Sequence, residues 1–135
     1  MRKKVNCILL IDDDEPTNFL HKIIIEDSNL AEKVVAVQSG YEALEYLEKK
    51  EEGKYPQPDI IFLDINMPAM NGWEFLERYK QLDEGLKGKI LVIMLTTSIN
   101  PNDKKKAMGK GFVNGFLSKP LTTEMLEKII DDELK

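Results

Sequence analysis

Four sets of residues in this chain of 135 residues could do chemistry together. They are the acidic run Asp12, Asp13 and Asp14; the single Asp64; the hydroxyl run Thr96, Thr97 and Ser98; and Lys119, followed by Pro120. Each set comes directly after a short apolar run. If those runs are neighbouring strands, about 4.8 Å apart, the four sets share one sheet edge within roughly 15 Å. Converging carboxylates repel and raise one another's pKa unless something compensates. A hard divalent cation is the natural compensator, and magnesium prefers oxygen ligands, keeps several waters and accepts a phosphate oxygen. The three negative charges of Asp12, Asp13 and Asp64 would be balanced by one Mg2+ and the Lys119 ammonium. A site so neutralised can receive a phosphoryl group, with a carboxylate as nucleophile. Magnesium, the ammonium and the Thr96 hydroxyl would then stabilise the equatorial oxygens of the transferring group. Taken singly, each set has a plainer reading: turn and helix cap for the aspartates, strand end for Thr96, solvated charge for Lys119. Their recurrence at successive strand ends favours the functional one.

The elements that must position these residues are legible as alternating patterns. Val5 to Ile11, Val34 to Val37, Ile60 to Leu63 and Ile90 to Leu95 are apolar runs, and Val113 to Leu117 is a weaker fifth. Continuous rather than alternating apolarity is expected of parallel strands covered on both faces. Helical spacing fills each gap. Pro16 sits in the first turn of a helix in which Phe19, Leu20, Ile23 and Ile24 recur at helical spacing, as an apolar face would. Ser39 and Glu42 suggest a capping box before Ala43, Leu44 and Leu47. Asn71 and Gly72 begin a third helix carrying Phe75, Leu76, Tyr79 and Leu82. Asn100 and Pro101 begin a fourth, which Lys104, Lys105 and Lys106 make polar and weakly anchored. Thr122 caps a fifth, with Leu121 and Leu126 placed for a staple and Leu126, Ile129 and Ile130 facing inward. Five β-α pairs imply a three-layer α/β sandwich with right-handed crossovers, and such sheets hold their functional groups beyond the carboxyl ends of the strands.

Composition narrows the function classes. The length suits one domain, and 42% hydrophobic with 32% charged residues is ordinary for a globular protein. A formal charge of −5 disfavours a nucleic-acid partner held by a positive field. A single cysteine, Cys7, allows no internal disulfide or cysteine metal cluster and is expected to be a core thiol. A single histidine, His21, excludes multi-histidine metal sites and is expected at the surface or a boundary. No apolar run reaches the roughly 20 residues of a membrane span. The basic start, Arg2, Lys3 and Lys4, resembles a secretory signal only superficially, because the apolar run stops at Asp12 with no cleavage site after it. A cytoplasmic protein is expected.

With these residues in this order, the chain resembles the receiver domains of bacterial two-component response regulators, in particular the single-domain, chemotaxis-regulator-like kind. The segments that carry the resemblance are Ile8 to Asp14, Ile60 to Pro68 with Asn71 and Gly72, Ile93 to Ser98, and Gly115 to Pro120. Together they span essentially the whole chain, so residues 1–135 are expected to be one receiver domain. The resemblance implies a flavodoxin-like fold, a five-stranded parallel sheet in order 2-1-3-4-5 with five helices, an order general to that fold family. It implies Asp64 as phosphoacceptor, and Asp12 and Asp13 as the acidic pair that holds Mg2+, with Asp13 the direct ligand. Asn66 would offer its backbone carbonyl to the metal. Thr96, Lys119 and Phe116 would be the switch and phosphoryl-binding residues, with a cis bond before Pro120. Asn66 and Ser98 would tune phosphoryl lifetime, and Asp14, just past the acidic pair, falls to capping or to supporting the metal ligands from behind. Phe116 departs from the family's frequent tyrosine and offers no hydroxyl to a partner.

The function implied is that of a signalling switch rather than an enzyme. The protein would take part in its own phosphorylation from a histidine kinase or histidine phosphotransfer protein, and in slow autodephosphorylation. It would act on a downstream target protein as a monomer or weak phosphorylation-dependent dimer, with no membrane or nucleic-acid partner and no attached output module. A magnesium phosphohydrolase is disfavoured because Asn66 stands where such enzymes carry a second aspartate. A flavin-binding relative is disfavoured by the acidic first turn. A receiver-like module that binds partners without phosphorylation is disfavoured by the complete residue set.

Overall fold

The computed structural model describes residues 4–50, 52–65, 67, 69–82, 90–97, 100–109 and 113–133. Five strands alternate with helices: β1 (Val5–Ile11), α1 (Glu15–Ser28), β2 (Ala31–Val37), α2 (Gly40–Glu48), β3 (Ile60–Asp64), α3 (Gly72–Lys80), β4 (Leu91–Thr96), α4 (Pro101–Met108), β5 (Gly115–Ser118) and α5 (Thr123–Glu133). All pairings are parallel, and the sheet order is β2-β1-β3-β4-β5. This is the flavodoxin-like three-layer sandwich, with five helices among the described residues.

Successive strand residues point to opposite faces, and this alternation builds two cores. Leu9, Ile11, Ile61, Leu63, Val92 and Met94 pack against Ala43 and Leu47 of α2, Phe75, Leu76 and Tyr79 of α3, and Ala107 of α4. Ile8, Leu10, Ile60, Phe62, Ile93 and Leu95 pack against Ile25 of α1 and Leu126, Ile129 and Ile130 of α5. Three caps are local in origin. The Ser39 hydroxyl accepts from the Glu42 N–H at 3.0 Å, Asn71 and Glu74 form a full capping box, and Thr122 accepts from the Met125 N–H at 3.2 Å.

Two sequence expectations need correction. Strand β2 starts at Ala31, three residues before the apolar run, because an edge strand can expose Glu32 and Lys33 and still complete its ladder. More consequentially, α1 is rotated from its predicted face. Phe19 is 66% exposed, Leu20 47% and Ile23 38%, while Asn18, His21 and Ile25 are buried. The i, i+3, i+7 spacing of a helical stripe is kept, but two of its three members are polar. Each makes hydrogen bonds inside through Asn18 Nδ2 and His21 Nε2, which offsets part of the penalty that otherwise keeps such residues out, while Asn18 Oδ1 is buried without a partner.

Candidate functional site

The register brings the strand ends to one edge. Ile11 is paired with Leu63, Asp64 with Leu95, and Thr96 with Ser118. Asp12, Asp64, Thr96 and Lys119 therefore leave four adjacent strands side by side. Asp12, Asp64 and Thr96 are buried, and Asp13 is exposed at the mouth. One oxygen from each of Asp12, Asp13 and Asp64 lies within 4.8 Å of the others, a cluster that could hold a metal ion. An all-carboxylate donor set suits a hard cation.

Lys119 spans the cluster. Its Nζ lies 2.5 Å from Asp12 Oδ2 and 3.3 Å from Asp64 Oδ1. Burial opposes the ammonium charge. The hydrogen bond to Asp12, the charges of Asp12 and Asp64 and the bond to Asp64 outweigh it, so the lysine pKa stands above its ordinary value. The backbone is pinned as well, since the Lys119 N–H donates to the Thr96 carbonyl at 2.7 Å. The Lys119–Pro120 peptide is cis.

Asp14 caps α1: its carboxylate accepts from the Thr17 N–H at 3.1 Å and from the Thr17 hydroxyl. Its own N–H donates to Asp12 Oδ1 at 3.0 Å. Gly72, at the start of α3, sits directly beneath Asp64. A Cβ there would lie 2.7 Å from the Asp64 carbonyl oxygen and 2.9 Å from Ile65 Cα, so only glycine lets the helix approach β3 this closely. Phe116 is buried in the core cluster that also holds Ala107 of α4. Asn66 and Ser98 lie outside the described residues.

Two site-supporting residues escaped the sequence reading. Asn18 Nδ2 donates to the Asp12 carbonyl at 2.9 Å and to the Val37 carbonyl at 3.1 Å, tying α1 to the ends of β1 and β2. His21, expected near the surface, is 2% exposed, and its Nε2 accepts the Leu121 N–H at 3.2 Å. The available signal was their three-residue spacing, in phase with Ile25 rather than with Ile23 and Ile24.

The family model for the response regulator receiver domain matches residues 8–131. The chain belongs to this family. Among solved structures, the receiver is similar to a two-component response regulator from Cytophaga hutchinsonii, with 38% identity, a TM-score of 0.87 and 98% of each chain covered. It is 30% identical to the chemotaxis protein CheY of Halobacterium salinarum over 94% of this chain and 95% of the relative. It is 32% identical to the response regulator Rcp1 of Synechocystis over 91% of this chain and 82% of the relative. Receiver domains are phosphoacceptor signalling switches that meet histidine kinases and downstream effectors. Among the described residues, no helix is long and apolar enough to cross a membrane.

Proposed function

We propose that residues 1–135 act as one receiver unit whose Asp64 is phosphorylated, with Mg2+, by a phosphohistidine on a kinase or phosphotransfer protein. The observation that carries this reading is the Lys119 ammonium shared between Asp12 and Asp64, inside a cluster of three carboxylates at one sheet edge. Asp12 and Asp13 would hold the metal, with Asp64 and the Asn66 carbonyl completing the protein's ligands. Bound there, Mg2+ supplies positive charge to the phosphoryl oxygens. An Asp64 carboxylate oxygen attacks phosphorus in line; the new O–P bond forms as the donor's N–P bond breaks, and the imidazole leaves to take up a proton. Lys119 and the Thr96 hydroxyl then bond the phosphoryl oxygens, which shifts a two-state equilibrium.

Asn66 and Ser98, each two residues beyond a site residue, are assigned to phosphoryl lifetime. Because Phe116 is buried and offers no hydroxyl, the switch rests first on Thr96 and Lys119. Rearrangement of α4, β5 and α5 would be read by a target protein, with the receiver cytoplasmic and monomeric or weakly dimeric.

Incubation with Mg2+ and acetyl phosphate adds one phosphoryl group to the wild type, and none to Asp64→Asn, by mass spectrometry. A wild type left unmodified by acetyl phosphate and by phosphohistidine donors alike would overturn the reading. The exposed Phe19, Leu20 and Ile23 stand on α1, the helix that starts beside Asp12 and Asp13, and suit the apolar face of a phosphodonor. Phe19→Asp should slow transfer from the donor protein about tenfold or more while leaving acetyl phosphate labelling unchanged. Equal slowing with both donors would remove α1 from the docking surface.

A further inference from the structure

His21 is buried close to the acidic cluster but has no part in the chemistry above. Its partner is specific: Nε2 accepts the N–H of Leu121, 100 residues later in the chain. For Nε2 to accept, the imidazole must be neutral with its proton on Nδ1. Burial holds its pKa down; the Asp12 charge opposes this and the Lys119 charge assists.

Leu121 is itself fully buried, and its N–H is two residues from Lys119. On the other side of the lysine, its own N–H is held by the Thr96 carbonyl at 2.7 Å. Lys119 is thus clamped between two anchors, one on β4 and one on α1. A leucine at position 21 would fill the same core volume, but it would leave the Leu121 N–H buried without its acceptor. The residue type is therefore explained by the bond it makes and not by packing alone.

We propose that His21 is a positioning residue for Lys119: by holding the Leu121 amide it fixes the β5–α5 connection, and with it the ammonium bridging Asp12 and Asp64. This rests on Asp64 being the phosphoacceptor, and it makes α1 a structural partner of the lysine on the far side of the site.

The test compares wild type, His21→Leu and His21→Gln, whose amide oxygen reaches about as far as Nε2. In the unphosphorylated proteins, His21→Leu should speed Leu121 amide exchange about tenfold or more and move the Lys119 side-chain resonances, with core amides of β1 and β3 unaffected. It should slow labelling by acetyl phosphate about tenfold, since displacing a catalytic group by an ångström carries costs up to about a hundredfold. His21→Gln should restore all three readouts. Should His21→Leu not fold, His21→Asn, whose amide falls short of Leu121, takes its place. Unchanged Lys119 resonances in the Leu or Asn variant, or a Gln variant as impaired as that one, would overturn the proposal. If the wild type labels with neither acetyl phosphate nor a phosphohistidine donor, the phosphoacceptor reading fails, and the exchange and resonance data still decide whether His21 positions Lys119.

Discussion

Strand β3 has an aspartate at each end, and the two are handled in opposite ways. Asp59, just before it, is met by backbone: its Oδ2 accepts the N–H groups of Asn6 at 2.7 Å and Cys7 at 3.1 Å. Its own N–H donates to the Cys7 carbonyl at 2.8 Å, and its carbonyl accepts from the Leu91 N–H at 3.0 Å. Asp59 is a splice joining β1, β3 and β4 where they start. Asp64, five residues on, is met by charge: the Lys119 ammonium at 3.3 Å and two neighbouring carboxylates. A carboxylate satisfied by fixed amides is structural. One set among side-chain charges could rebalance with a metal ion and a phosphoryl group. Cys7, beside Asp59, belongs to the structural end; burial pushes its thiol pKa up, outweighing the Tyr46 hydroxyl and the Lys33 charge, and so makes it a poor nucleophile.

The contrast is open to direct attack. Exchanging the two carboxylates should separate the roles most widely: Asp64→Asn abolishes acetyl phosphate labelling with the fold retained in thermal melts. Labelling of Asp64→Asn at the wild-type level would place the phosphoacceptor elsewhere. Gly72→Ala should come next, because its methyl group meets unyielding backbone at Asp64 and Ile65. A loss of about 2–3 kcal/mol in denaturant unfolding is expected, with slower labelling, since the strain falls on the functional end. Wild-type labelling together with that loss would show that the packing of α3 does not govern Asp64.

Asp59→Ala should cost about 1–2 kcal/mol, through amides left without their acceptor, and spare labelling. A labelling defect larger than the stability loss explains would erase the distinction between the two ends.

The smallest effect is in pH. The folded-state pKa of His21 is lowered from 6.5, so between the two values the unfolded chain binds more protons. This contribution to stability is present above about 6.5 and is lost as pH falls below it. Lys119 has the opposite sign: its pKa is raised, so its contribution is full below 10.5 and fades as pH rises through the higher folded value. Melting midpoints across both ranges should show an acid-side fall that is smaller in His21→Gln and an alkaline fall that is smaller in Lys119→Met. Unchanged slopes in these variants would assign the pH dependence to other groups.

Much of this architecture was legible without coordinates. The four strand-end sets were readable because a parallel sheet buried on both faces demands uninterrupted apolar runs, and charges mark where each run stops. Capping by Asp14, Ser39 and Thr122 was equally local, since a side chain and an N–H three residues apart need nothing else. The rotation of α1 was not legible. Apolar periodicity favoured Phe19, Leu20, Ile23 and Ile24, and only the carbonyls of Asp12 and Val37 and the amide of Leu121 make Asn18 and His21 suitable for burial.

The sequence by itself determined the order of elements, the identity of the chemical groups and the edge of the sheet on which they gather. These follow from periodicity and composition, which act over a few residues at a time. Tertiary structure alone decided which groups touch: that Lys119 reaches Asp12 and Asp64 together, that Gly72 lies against Asp64, and that His21 holds the chain behind the lysine. Those contacts join residues tens to more than a hundred positions apart or depend on close backbone approach. Their formation depends on strand register and helix rotation, which no short stretch of sequence specifies.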